Sequence, residues 1–145
     1  MSTATKQFNY TPTWDVWGTY SSTLCIMHCI LIPVVIAFAP FAGLEVLQSE
    51  IVHKALVLMV AAISIPAFYR GYLIHRKKTV LALMMTGLTL LFAAAFFVEI
   101  ALSNAWAETA ETLFTVVGGL AMVSAHLFNR SFCRACPECC EKEFC

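Results

Sequence analysis

The chain has 145 residues, of which 60% are hydrophobic and 12% charged. A soluble domain carries about 25% charged residues, so this composition excludes an ordinary water-soluble fold and implies an integral membrane protein. Nine basic residues against nine acidic ones leave a formal net charge of +0, which excludes nucleic-acid binding through a basic surface.

Four hydrophobic segments follow one another. They run from about Val16 to Pro40, Ile51 to Leu73, Val80 to Leu102 and Glu111 to Phe128. Each approaches the ~20 residues that a helix needs to cross the hydrocarbon core, and the fourth is the shortest. The connections are short, so neighbouring helices should run antiparallel. The expected fold is an all-α membrane protein: a four-helix antiparallel bundle over residues 1–130, then a cysteine-rich tail over residues 131–145. Residues 1–15 hold one lysine, and no small-x-small cleavage site follows the apolar run. The first segment is therefore expected to remain as a span rather than to be cleaved.

The first span carries Cys25-Ile-Met-His28-Cys29 in the middle of an apolar run. On a helix, positions three and four apart share a face, so Cys25, His28 and Cys29 are expected to point the same way. Two sulfurs and one nitrogen suit soft or borderline ions such as Cu(I), Zn(II) and Hg(II). Free cysteine also packs like a small hydrophobe, but two thiols flanking a histidine inside a membrane favour a ligand role, since ionisable residues there are functional by default. Pro33 leaves the carbonyl of Cys29 without its helical partner, either as an ordinary kink or as an extra oxygen beside the thiols.

In the second span, Glu50 and His53 lie one turn apart near one end, and Lys54 snorkels to the interface. The link that follows, Arg70 to Lys78, holds the main basic cluster, whereas the other two links carry Glu45 and Glu50, then Glu108 and Glu111. Basic residues collect on the cytoplasmic side, so this link and both termini are expected to be cytoplasmic. His75 reads as a solvated member of it. Depth follows from that orientation. Glu99 and His53 fall near the outer face, Cys25, His28 and Cys29 from the inner half to the midplane, and Met122 and His126 in the inner half of the fourth span. Thr115, Gly119, Met122 and His126 share one face, either as ligands and their support or as a packing face, and should turn inward if spans one and four meet.

The tail reads Cys133-Arg-Ala-Cys136-Pro-Glu-Cys139-Cys140-Glu-Lys-Glu-Phe-Cys145. Zinc sites draw C-x-x-C pairs from two separated segments. Here all come from one stretch, which favours a flexible soft-metal catcher. Cytoplasmic thiols are normally reduced, which disfavours disulfides.

The stretch Leu24-Cys25-Ile-Met-His28-Cys29-Ile-Leu-Ile-Pro33, the histidine opening the second span, Tyr72 to Arg76 and Ala125-His126-Leu-Phe-Asn129 resemble the MerC family. The resemblance spans roughly Ser21 to Arg130. It implies a small four-helix protein of the bacterial inner membrane, linked to mercuric ion uptake. It further implies that Cys25 and Cys29 are the vicinal cysteines of the first helix and that the C-terminal cysteines form the cytoplasmic pair.

The expected function is thus transport or binding of a soft cation, handed from membrane thiols to tail thiols. No permanently bound cofactor is expected. The ion is mercury, with copper, zinc or iron as alternatives, and the partners are the lipid bilayer and a cytoplasmic metal acceptor or reductase. Two other classes stay open: a membrane metalloenzyme or redox protein built on His and Glu residues, and a metal sensor or assembly factor. The orientation generates a direct test. In intact cells an impermeant maleimide should leave Cys133 to Cys145 unlabelled, and labelling of the tail from outside would reverse the topology.

Overall fold

The computed structural model describes residues 13–38, 46–47, 49–98 and 106–135. Nearly all of them lie in four helices: α1 (Thr13–Phe38), α2 (Glu50–His75), α3 (Lys78–Phe96) and α4 (Trp106–Ala135). There is no strand among the described residues. Each helix is long and apolar enough to cross a membrane, and the chain is a multi-pass membrane protein. In lipid a backbone must satisfy its own polar groups, which selects helix for these apolar runs whatever their intrinsic propensities. Leu24, Leu31, Val35, Ile65, Leu113, Val117 and Leu120 are exposed on the bundle surface, where acyl chains take the place of water.

The helix bounds differ instructively from those read in the sequence. α1 begins at Thr13 rather than near Val16, which brings Asp15 into its first turn. α2 continues to His75, so the basic link shrinks to Arg76 and Lys77. Arg76 closes the helix in a left-handed conformation with φ 49°, its N–H bonding the Tyr72 carbonyl at 2.9 Å. α3 ends at Phe96, and residues 99–105, with Glu99 among them, lie outside the described residues. The fourth span, expected to be the shortest, belongs to the longest helix, at 30 residues. That is about 45 Å at 1.5 Å per residue, well beyond the ~30 Å hydrocarbon core. Its polar residues lower its hydropathy because they face partners inside the bundle, not because the helix stops. Cys133 is consequently a buried residue of α4 rather than part of a tail.

Around the bundle α1 packs on α2 and α4, and α3 packs on α2 and α4. α2 also touches α4 across the diagonal, while α1 and α3 do not meet among the described residues. α3 brings a purely apolar face of Val80, Met84, Leu88 and Leu91 to the core, so it buttresses the others. The inward stripe expected on α4 is present: Thr115, Met122 and His126 are fully buried, and Gly119 lies against Ile26 and the Ser22 carbonyl of α1. Without a hydrophobic drive between helices in lipid, small residues and polar bonds decide how closely they approach. Gly18 and Gly71 make the two tightest approaches, one under the His126 ring and one under the Asn129 amide.

That geometry predicts the effect of one methyl group. A Cβ on Gly18 would stand 2.1 Å from His126 Cε1 and 2.2 Å from Nε2. Gly18→Ala should therefore cost about 1–3 kcal/mol of stability, the usual range for overpacking. Thermal unfolding in detergent should show a clearly lowered midpoint, whereas Thr23→Ala on the exposed face should leave it nearly unchanged.

Candidate metal centre

Cys25 and Cys29 stand one turn apart on the inner face of α1, Cys25 fully buried and Cys29 half-buried. The first turn of α2 places His53 opposite them. The ligand atoms of Cys25, Cys29 and His53 all lie within 4.8 Å of one another, the only such grouping of three metal-binding side chains among the described residues. His53 Nε2 lies 4.0 Å from Cys29 Sγ.

α4 completes the centre from behind. His53 Nδ1–H donates to Glu111 Oε1, since a carboxylate oxygen only accepts. That fixes the tautomer with the Nε2 lone pair toward the thiols, where the Thr115 hydroxyl also reaches it at 3.3 Å. A carboxylate holding one ring nitrogen while the other faces soft ligands is the arrangement that orients histidines in metal sites. The spacing accommodates an ion. A cation in line between two sulfurs, at about 2.3 Å from each, separates them by about 4.6 Å, and a tetrahedral one sets sulfur and imidazole nitrogen about 3.6 Å apart. Both values lie within small side-chain movements of the observed geometry.

The other expected ligands are elsewhere. His28 and Cys29 are consecutive and so point about 100° apart on the helix; only one of them faces His53. His28 turns to the segment after α1, where its Nε2–H donates to the Leu47 carbonyl at 2.8 Å, and its Nδ1 is buried with no hydrogen-bond partner. Glu50 pairs with Lys54 on the exposed side of α2. Met122 packs toward α3, close against Gly87. Cys133 is buried near the far end of α4. Cys136, Cys139, Cys140 and Cys145 lie outside the described residues, as does Glu99.

His126 belongs to a second buried cluster at the opposite end. Its Nδ1 bonds Asp15 Oδ1 at 2.9 Å and its Nε2 bonds the Ser64 hydroxyl at 3.0 Å. Asn129 Nδ2 donates to both Asp15 oxygens at 2.9 Å, and its Oδ1 faces His75 Nε2 at 2.8 Å. His75 is buried here rather than solvated.

Asp15, Ser64 and Glu111 escaped the sequence reading as site residues, while Thr115 and Asn129 entered it only as members of a helix face and of a family motif. Asp15 had a signal. Residues 15, 18, 22, 25 and 29 recur at alternating steps of three and four, so Asp15 continues the face of the two cysteines. Glu111 had none, because it meets His53 across 58 positions of chain.

Comparison with known proteins gives a match to a protein family. Residues 15–131 fit the family model described as MerC mercury resistance protein. No curated protein and no solved structure matches the chain.

The support behind His53 yields a prediction. In full-length protein with Cys136, Cys139, Cys140 and Cys145 changed to serine, Glu111→Gln keeps the shape but loses the charge that holds the imidazole. Zn(II) affinity should drop about 10–100-fold, the range for losing such a partner, as read by competition with a chromophoric chelator.

Proposed function

The chain belongs to the MerC family, and from that premise we propose that it carries a soft divalent cation, mercuric ion first, across the bacterial inner membrane by exchange between thiols. The observation that supports this most is the convergence of Cys25, Cys29 and His53 from two helices onto one point. A bare dication in a bilayer is prohibitively costly. Two thiolates cancel its charge, and soft sulfur selects mercury, copper or zinc over magnesium or calcium.

The ion enters at the acidic end, past Glu99 and Glu111, and His53 offers a first nitrogen. Cys25 and Cys29 then take it as thiolates, because metal binding deprotonates a coordinating thiol outright. Cys136, Cys139, Cys140 and Cys145 of the cytoplasmic tail receive it by stepwise attack, as in thiol–disulfide exchange, so no free ion is released in between. A cytoplasmic acceptor or reductase takes it onward. The termini are cytoplasmic in this scheme, in keeping with the basic residues at Arg76, Lys77 and Lys78. The metalloenzyme alternative asks His53 and His126 to share a site, and their separate bonding to Glu111 and Asp15 speaks against it.

The test weighs the two thiol groups against each other in cells given isotope-labelled mercuric ion. Cys25→Ser with Cys29→Ser swaps soft ligands for hard ones of similar size and should lower initial uptake at least about tenfold, while metal binding to purified protein falls only in part. Truncation after Ala135 should do the reverse, reducing bound metal more than initial uptake. Normal uptake by the double serine variant would reduce the α1 cysteines to packing residues.

A further inference from the structure

The imidazole of His53 has two nitrogens, and α4 addresses both. Glu111 receives the Nδ1–H, and the Thr115 hydroxyl lies 3.3 Å from Nε2. The two residues stand one turn apart on α4, so they share a face. Glu111 bonds the nitrogen that points away from the thiols and leaves the ligand atom alone. Thr115 does the opposite, because Nε2 is the nitrogen that faces Cys29 Sγ at 4.0 Å. Thr115 is fully buried, so its hydroxyl has no bulk water to turn to.

A ring nitrogen bonds in one direction at a time, whereas a hydroxyl both donates and accepts. The contact between Thr115 and Nε2 therefore holds with or without a proton on that nitrogen, and it must open before any ion takes Nε2. Opening it costs little. At 3.3 Å the bond is at the long end of the usual range. A threonine hydroxyl inside a helix also has a second acceptor in the carbonyl four residues back, here that of Glu111. Closing it again is as easy, since the hydroxyl stays beside the nitrogen throughout. A carrier site needs that reversibility, because an ion has to enter and also has to leave.

We propose that Thr115 is the release residue of the centre, an internal competitor that reclaims His53 Nε2 as the cation moves on to other thiols. This rests on the metal-carrying reading of Cys25, Cys29 and His53. Nε2 exchanges one partner for another: the hydroxyl contact opens as the nitrogen–metal bond forms, and the hydroxyl returns as that bond breaks. Glu111 favours capture by aiming the ring, and Thr115 limits how long the ion stays. The two α4 residues consequently act in opposite directions on one imidazole. Removing the carboxylate weakens binding, while removing the hydroxyl strengthens it and slows departure. A threonine that only supports the site has the reverse signature, since losing a buried hydrogen bond loosens what it held.

Zinc binding to full-length protein with Cys136, Cys139, Cys140 and Cys145 changed to serine tests this. Affinity is read by competition with a chromophoric chelator, and departure by the rate at which excess chelator strips bound zinc. Thr115→Val keeps the shape of the side chain and removes the hydroxyl. It should tighten binding and slow departure, each by about 2–10-fold, the range for one hydrogen bond. Thr115→Ser keeps the hydroxyl and should behave as wild type. In a His53→Ala background Thr115→Val should change neither quantity, and the comparison of Thr115→Val with Thr115→Ser decides alone if that background fails to fold. Unchanged or weaker binding by Thr115→Val, equal behaviour of the two Thr115 variants, or an effect that survives His53→Ala overturns the proposal while leaving the metal reading intact. Zinc binding that is absent, or undiminished by Cys25→Ser with Cys29→Ser, overturns the metal reading and this proposal together.

Discussion

The hydrogen bond between His126 of α4 and Asp15 of α1 sets the register on which the rest of the bundle depends. Lipid gives helices no hydrophobic reason to prefer one sliding position over another, so interior polar bonds and small residues fix it. From Asp15 to Cys29 is about 21 Å along α1, and from His126 back to Glu111 is about 22 Å along α4. Pinning the two helices at one end therefore brings the upper thiol level with Glu111 and Thr115 at the other. α2 is locked to the same frame by Ser64 on His126 and His75 on Asn129, and His53 arrives opposite Cys29. Gly18 and Gly71 are part of this constraint, since the ring and the amide occupy the space where their side chains would be.

The two ends are built differently. At the Asp15 end every ring nitrogen of His75 and His126 has a partner, and a satisfied buried network is rigid. At the Glu111 end the imidazole is held from behind, yet it stands 4.0 Å from the nearest thiol. Cys29 and Glu111 are only partly covered. The Asp15 end sets position, and the Glu111 end holds the candidate ligands through the weaker hydrogen bonds of sulfur. Pro33 sits one turn beyond Cys29 on α1 and frees that backbone from one helical bond.

Much of this was legible in the chain. Four apolar segments announce four helices, and Cys25 and Cys29 are recognisable together because one turn of helix separates them. His53 was visible as a histidine at the end of a span, though nothing local paired it with Cys29. What escaped was long-range or disguised. Asp15 reads as an ordinary acidic residue in a first helical turn, where the helix dipole favours one, and only its place on the cysteine face hints at burial. His75 precedes three basic residues, so it reads as solvated, yet Asn129 draws it inside. α4 looked short because the residues that make it the bundle's organiser are polar, and an averaged hydropathy cannot tell a polar face turned to a partner from one turned to water.

The central claim is that Cys25 and Cys29 are soft-metal ligands inside the membrane. X-ray absorption at the mercury edge tests it most directly, on purified protein whose tail cysteines are replaced by serine and which is loaded with one equivalent of mercuric ion. The account predicts two sulfur neighbours at bonding distance, both lost when Cys25 and Cys29 are changed to serine. Mercury bound only to nitrogen or oxygen, or a sulfur shell that survives the double change, would contradict it.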